Sequence, residues 1–423
     1  MYLKLLIATI ITGIVSGLFI TLYELLIIFV RYFVFFGDPT KTVSNLPIWY
    51  IYALPTIAIF IVNYMVTKDA SIREYGVNEI AESIAQNKLV IKVKTLILKI
   101  VSSVLSLSTG FMVGTEGPSA GIGAMIAYLV YRVYKFPKVL LKLMISLGAT
   151  SGIAAIFVSP LTGIAFAVEN IAYQFLKQYI GYLILAAVVA FAVSVNYLEP
   201  IIFKHSSGKS FDTIYILANI AFIPFITIFI YFYLFLKKYL LHHIDQFIFK
   251  KMHSLRPYIF ALIGGLTIGT ILLLEPHAAF SGKSIVMYLI NHQNNIPLIV
   301  IFVLIVLRIV GTTVSIYANS VGGLFLPVMS IGALVGYGFG ELLKHYGIMV
   351  EPFYFAAIGA AVFMGVTMKL PLTAVVLAVE TTYDYNVVVA TGICVVMVEY
   401  ISSLVFSIDR KGVTKREKLE ENR

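Results

Sequence analysis

The chain has 423 residues, 60% of them hydrophobic and only 12% charged, with a mean hydropathy of +0.95. That balance excludes a soluble globular protein, and continuous rather than alternating apolar runs of spanning length exclude a transmembrane barrel; an all-α polytopic membrane protein remains. The net charge of +10 does not mark a nucleic-acid binder, because Lys68, Lys88, Lys92, Lys94, Lys135, Lys138, Lys237, Lys238, Lys250 and Lys251 stand at the ends of apolar runs, as in loops facing an anionic leaflet.

Residues 3–36 form one long apolar run with no cleavage site after a short core. It reads as a retained first helix, tilted because it exceeds the bilayer, and not as a signal peptide. A loop at Gly37, Asp38, Pro39 and Thr40 leads to a second span at 48–66, and a polar interval follows from Lys68 to Lys94. Residues 95–135 contain GFMVGTEGPSAGIGA at 110–124, where Glu116 stands among Gly114, Gly117 and Pro118 inside strongly apolar sequence. A glutamate there costs several kcal/mol unless it has a partner or a function. Glycines allow close backbone approach and proline suits a first helical turn, so the stretch predicts a broken membrane helix whose N-terminal amides point at a site.

Residues 139–203 read as shorter segments broken at Gly152, Pro160 and Gly181, and 204–212 as a loop. A span at 213–236 leads to a basic link up to Pro257. The second half runs through 258–274, a loop to Pro297, then 298–317, 322–347 and 353–408. The expected division is a first repeat half at 1–203, an inter-half span and link at 204–257, a second repeat half at 258–408, and a short charged cytoplasmic tail at 409–423.

The halves are a duplication. GTEGPSAGIGA at 114–124 aligns with GLFLPVMSIGA at 323–333 at an offset of 209, and PLTGIAFAVE at 160–169 with PLTAVVLAVE at 371–380 at an offset of 211. Broken helices at matching positions of two repeats point to a transport site near the midplane; sequence alone leaves the repeats inverted or parallel. The helix starts at Thr115–Ser119 and Leu324–Pro327 then form a pair. Free amides at helix N-termini hold an anion through partial charges without trapping it as a buried arginine would. Ionised Glu116 placed among them takes the anion's position and leaves it on protonation, which is a proton-linked gate. For Gly114, Gly322 and Gly323 taken singly, tight helix packing is the favoured reading.

These residues, with GGLFLP at 322–327 and Tyr385 in ETTYDYN, resemble the CLC family of chloride channels and chloride/proton exchangers over about residues 70–400. The resemblance implies an inverted-repeat fold of many tilted and broken helices, a homodimer with one pathway per subunit, and the cell membrane of a prokaryote. It implies that Glu116 is the gating glutamate, that the amides of Leu324, Phe325 and Leu326, with Gly117 opposite, hold the anion, and that the Tyr385 hydroxyl donates to it. Three departures stand out. EYGVN at 74–78 replaces the serine motif of the inner mouth, placing Tyr75 where the serine stands and Asn78 where its proline stands. Asn170 follows Glu169 where exchangers carry an internal proton glutamate, and asparagine does not titrate. Thr115 replaces the basic residue that precedes the gating glutamate.

The expected function is transport of chloride or a similar monovalent anion coupled to protons, with a passive glutamate-gated channel as the alternative that Asn170 motivates. Fluoride is less favoured than chloride. No phosphate loop, nucleotide motif or nucleophile triad supports an enzyme. No cofactor or metal is expected: the seven histidines stand mostly in loops and Cys394 is alone. Glu169 and Glu380, at equivalent repeat positions, read as helix-end caps, and Arg308, inside an apolar run, as a partner of backbone carbonyls.

Overall fold

The computed structural model describes residues 2–73, 80, 82–83, 86, 92–171, 179–203, 212–239, 255–291 and 296–420, with the side chains of 170–171 and of residues beyond 403 excepted. The helices in chain order are α1 (Tyr2–Val34), α2 (Pro39–Thr42), α3 (Ile48–Lys68), α4 (Val93–Ser108), α5 (Glu116–Val133), α6 (Leu141–Phe157), α7 (Pro160–Ile171) and α8 (Ile180–Ser194). They continue as α9 (Thr213–Tyr239), α10 (Arg256–Leu274), α11 (Lys283–Asn291), α12 (Leu298–Tyr317), α13 (Phe325–His345), α14 (Pro352–Met368), α15 (Pro371–Thr382) and α16 (Val387–Glu420). Seven helical stretches among the described residues are long and apolar enough to cross a membrane.

At 33 residues α1 is about 50 Å long, against a hydrocarbon core of about 30 Å, so it lies tilted or extends beyond the core, as its length predicts. Its inward face is small and polar, with Thr9, Thr12, Gly13, Ser16 and Gly17 buried. Its outward face carries Leu18, Leu22 and Phe29, exposed. In lipid, large apolar side chains need no burial, and helices associate where small residues let backbones touch. A Cβ on Gly13 would lie 2.9 Å from the Ala186 carbonyl of α8.

The same device joins α5 to α6 and α13 to α14. A Cβ on Gly152 would meet the Ser119 carbonyl at 2.2 Å, and one on Gly336 would meet the Phe355 carbonyl at 1.9 Å. The break expected at Gly152 is therefore not there. The residue sits inside α6 because its missing side chain serves the contact with α5. Gly181 likewise lies inside α8. The break at Pro160 is real. Both α6 and α14 end on a left-handed residue, Val158 (φ 52°) and Lys369 (φ 60°), and a proline opens the next helix. The run 353–408 divides in the same way into α14, α15 and α16.

The duplication is visible in the hydrogen bonds. Gly114 and Gly323 are repeat mates, and each donates its N–H to the other's carbonyl at 2.7 Å in an antiparallel pair. A residue paired antiparallel with its own repeat mate places a local two-fold axis between them, so α5 and α13, which start just beyond, run in opposite directions. The repeats are inverted. Reciprocity continues on both sides of the pair. The Ser315 hydroxyl accepts the Met112 N–H at 3.0 Å, and its mate Ser106 accepts the Val321 N–H at 3.2 Å.

Glu169 of α7 accepts the N–H groups of Leu372 (2.6 Å) and Thr373 (2.8 Å) at the start of α15. Glu380 of α15 accepts those of Leu161 (2.9 Å) and Thr162 (2.6 Å) at the start of α7. Each carboxylate thus caps the other half's helix where free amides and the positive dipole end favour a negative charge. Capping is the role expected of both glutamates.

Candidate functional site

Glu116 opens α5 and is 2% exposed. Its carboxylate crosses the gap to α13, where Oε1 accepts the Phe325 N–H at 2.5 Å. Phe325 is the repeat mate of Glu116, so the gating candidate of one half is bonded to the equivalent backbone position of the other. The side chain lies against two glycines. A Cβ on Gly114 would stand 2.0 Å from Oε2, and one on Gly323 would stand 2.1 Å from Oε1. Packing alone therefore does not account for Gly114 and Gly323, because they clear the path of the carboxylate. For Gly322 packing holds: its Cβ would meet the Gly114 carbonyl and Val113.

Two helix N-termini converge here. By helix geometry the first-turn amides of Glu116 and Gly117 on α5, and of Phe325 and Leu326 on α13, have no intrahelical acceptor. Leu324 is the residue before α13, in αR conformation, with no side-chain cap. Thr115 holds the same place before α5 and also makes no cap bond. Three buried polar atoms at this turn, Thr115 Oγ1, Glu116 Oε2 and Ser119 Oγ, have no hydrogen-bond partner among the described residues. Unpaired buried polar atoms cost free energy and mark places where a polar guest belongs. Two hydroxyl donors and two sets of backbone amides suit a small anion, held by partial charges alone.

Aromatic rings wall the site. Phe325 packs on Phe157 at 4.2 Å between ring centroids and on Phe166 at 6.4 Å. Arg308, fully buried on α12, donates to the carbonyls of Phe280 (2.8 Å), Ala278 (3.1 Å) and Ser281 (3.2 Å) and to Ser330 Oγ (2.6 Å). Backbone carbonyls are the partners expected for it. Through Ser330 and the Pro327 carbonyl (3.4 Å) it also secures the first turn of α13.

Glu116, Gly117, Leu324, Phe325 and Leu326 are thus brought together. Tyr385, expected to donate its hydroxyl to the anion, is not among them. It lies 79% exposed in the turn between α15 and α16, whereas Glu116 and Phe325 are buried. Helix α15 ends at a left-handed Tyr383, and Asp384 then shapes the turn by accepting the Asn386 N–H at 2.9 Å, which carries Tyr385 outward. Tyr75 and Asn78 lie outside the described residues. Asn170 is on α7, beside the capping Glu169, and its side chain is likewise outside them.

Sequence reasoning passed over Ser106, Ser315 and Phe157. The first two stand at the repeat offset of 209, so extending the alignment upstream finds them. It also passed over Glu24 on α1, whose buried Oε2 has no partner among the described residues and whose charge reaches Glu116. Its signal was a lone carboxylate in an apolar run.

Comparison with known proteins places the arrangement. The family described as Voltage gated chloride channel matches residues 56–403. The H(+)/Cl(-) exchange transporter ClcA of Vibrio cholerae serotype O1 (strain M66-2) is 26% identical over 304 residues, covering 67% of this chain and 61% of that protein. The match therefore spans less than two thirds of that relative's length. The protein of the same name from Vibrio vulnificus (strain YJ016) is 25% identical over 390 residues, covering 89% and 81%. Among solved structures, a slow cyanobacterial Cl-/H+ antiporter superposes with a TM-score of 0.81 at 20% identity over 99% of both chains. A CLC-type fluoride/proton antiporter superposes with a TM-score of 0.75 at 19% identity, over 94% of this chain and 95% of that one.

Proposed function

The chain is an integral membrane protein that belongs to the voltage gated chloride channel family, and on that premise we propose that it exchanges chloride for protons across the membrane, with Glu116 as the gate. The observation that carries the proposal is the Glu116 carboxylate seated on the Phe325 amide between two inverted helix starts. A chloride ion needs the same donors. Two unit negative charges 4 Å apart repel by about 4 kcal/mol at an effective dielectric of about 20. Ionised Glu116 and the anion therefore exclude each other. A proton on Glu116 removes that repulsion and one acceptor's hold on the Phe325 N–H, the side chain leaves, and the anion takes its place. Return of the carboxylate expels the anion and releases the proton, which ties the two movements together.

Thr115 and Ser119 support the anion through their hydroxyls, and Leu324, Leu326 and Gly117 through their backbone. Asn170 at the inner proton position leaves the inward proton route to water or to a group other than a carboxylate there. The relatives named as exchangers of Cl- and H+ support chloride as the anion. The location that fits is the cell membrane. We place the homodimer that the family resemblance implies on α7, α8, α15 and α16, helices related by the two-fold of the repeat, whose outer residues include Leu161, Ile184, Leu372 and Ile393.

The test is reconstitution in liposomes under an outward chloride gradient with the membrane potential clamped. The expected result is uphill proton uptake alongside chloride efflux. Chloride efflux with no proton movement would remove coupling and leave a passive channel of the same architecture.

A further inference from the structure

A second polar site lies away from the gate. A cavity of about 250 Å³ opens between the end of α1, the α2 turn and the segment from His277 through α11. It approaches the lower bound of about 300 Å³ for small-molecule pockets and is far larger than one halide requires. Its lining mixes apolar and aromatic side chains, Phe280, Met287, Tyr288 and Pro39, with the polar Arg31, Asp38, Ser284 and Asn291.

The charges define what fits. Arg31 is the permanent cation of the lining. Its guanidinium stands 5.2 Å from the Phe280 ring centre, and its Nε is buried without a partner among the described residues. The charges of Glu24 and Asp38 reach it, but no described carboxylate stands within the 4.0 Å of an ion pair. Asp38 Oδ1 is already committed to the N–H (3.1 Å) and hydroxyl (2.9 Å) of Thr40. His277 faces Glu275, with Nδ1 at 2.7 Å from its carboxylate. A free guanidinium selects a planar carboxylate. The nearby Asp38 charge disfavours a dianion such as phosphate or sulfate. The aromatic and apolar lining calls for an apolar body.

Phe280 connects this cavity to the gate. It is a non-glycine residue at φ 66°, a conformation that surrounding contacts must hold. Its N–H donates to the Gly110 carbonyl at 3.0 Å, at the start of the stretch leading to Glu116. Its carbonyl accepts from Arg308, which also reaches the first turn of α13 through Pro327 and Ser330. We propose that the cavity binds a small monocarboxylate with a compact apolar body through Arg31, and that its occupancy is transmitted through Phe280 to the gate. The binding half stands without the transport reading; the gating half rests on it.

Benzoate is the probe. Titration calorimetry on the full chain in detergent, at fixed chloride, is expected to give saturable binding, one site per chain. Arg31→Gln weakens it by about tenfold or more, the loss of a charged hydrogen bond. Met287→Trp, which fills the cavity and leaves Arg31 in place, abolishes it, so the test survives if Arg31→Gln does not fold. Glu116→Gln keeps the saturable site, with its affinity shifted only by the reciprocal coupling to the gate, which separates this cavity from the anion site. No saturable binding up to about 10 mM, ten times a 1 mM Kd, overturns the proposal, as does binding that both cavity variants leave intact or that Glu116→Gln abolishes. In liposomes benzoate alters chloride flux through the wild type and not through Met287→Trp. Benzoate that binds as described but leaves wild-type flux unchanged overturns the gating half alone, and chloride flux that never occurs in any sample overturns the transport reading instead.

Discussion

Gly323→Ala isolates the competition between Glu116 and the anion without touching either charge. The three atoms nearest to the added Cβ all belong to Glu116: Oε1 at 2.1 Å, Cδ at 2.3 Å and Cγ at 2.6 Å. None of these distances is tolerable, and the carboxylate must move by about 1 Å or more to restore contact at about 3.4 Å or beyond. That movement breaks the bond to the Phe325 N–H, a charge-assisted bond with a net value of about 1.5–3 kcal/mol. The balance between the seated and displaced carboxylate therefore shifts by roughly 10- to 150-fold toward displaced. The backbone at Gly323 is outside the left-handed region, and the obstacle is a movable side chain, so the fold survives. Calorimetric chloride titration is expected to show tighter binding by up to that factor, and liposome assays to show chloride flux retained while protons per chloride fall. Gly322→Ala is the control, since its Cβ meets the Gly114 carbonyl at 2.7 Å and Val113 and costs stability without uncoupling. If Gly323→Ala binds chloride and moves protons as the wild type does, the carboxylate does not rest where the anion binds.

Other expected outcomes concern the scaffold. Glu169→Ala and Glu380→Ala each strip two backbone caps from the opposite half, and thermal unfolding in detergent should register a similar loss of about 1–2 kcal/mol for each, because the two networks mirror one another; a large loss for one and none for the other contradicts the reciprocal reading. Arg308→Met leaves the carbonyls of Ala278, Phe280 and Ser281 without their donor, and a destabilisation of about 3–5 kcal/mol is expected from the same measurement. The Asp69 carboxyl, at the end of α3, is held below its ordinary value of 3.8 by the Ser71 hydroxyl first and the Thr95 hydroxyl (2.8 Å) second. A depressed carboxyl contributes stability above its unfolded-state value and loses it as pH falls through the folded-state value. Asp69→Asn should therefore be less stable than wild type at neutral pH, with the deficit closing below pH 3.8; a deficit independent of pH refutes the assignment.

What the sequence disclosed and what it hid have physical reasons. The halves of the proposed anion site lie in two short contiguous stretches, and repeat symmetry pairs them, so the sequence joins Glu116 to Leu324–Leu326. The partner of Glu116 is its own repeat mate, which made the crossing bond to Phe325 legible in outline. Tyr385 stands apart from that cluster because a motif fixes order along the chain but not direction at a helix end, and the left-handed Tyr383 turns the segment outward. Gly152 misled because a glycine inside a membrane helix also serves close helix contact, here with Ser119 of α5. The cavity at Arg31 was invisible because its walls come from 31–40 and 277–291, segments without shared pattern or repeat offset.

The central claim is that the Glu116 carboxylate and the permeant anion occupy one place. Crystals of Glu116→Gln and of wild type, both grown in bromide, test it through anomalous scattering. The expected result is a bromide peak at hydrogen-bonding distance from the Phe325 amide in Glu116→Gln, and in wild type the carboxylate there with no peak. A wild-type crystal with bromide on that amide beside an unmoved carboxylate, or a Glu116→Gln crystal with bromide bound only elsewhere, would contradict it.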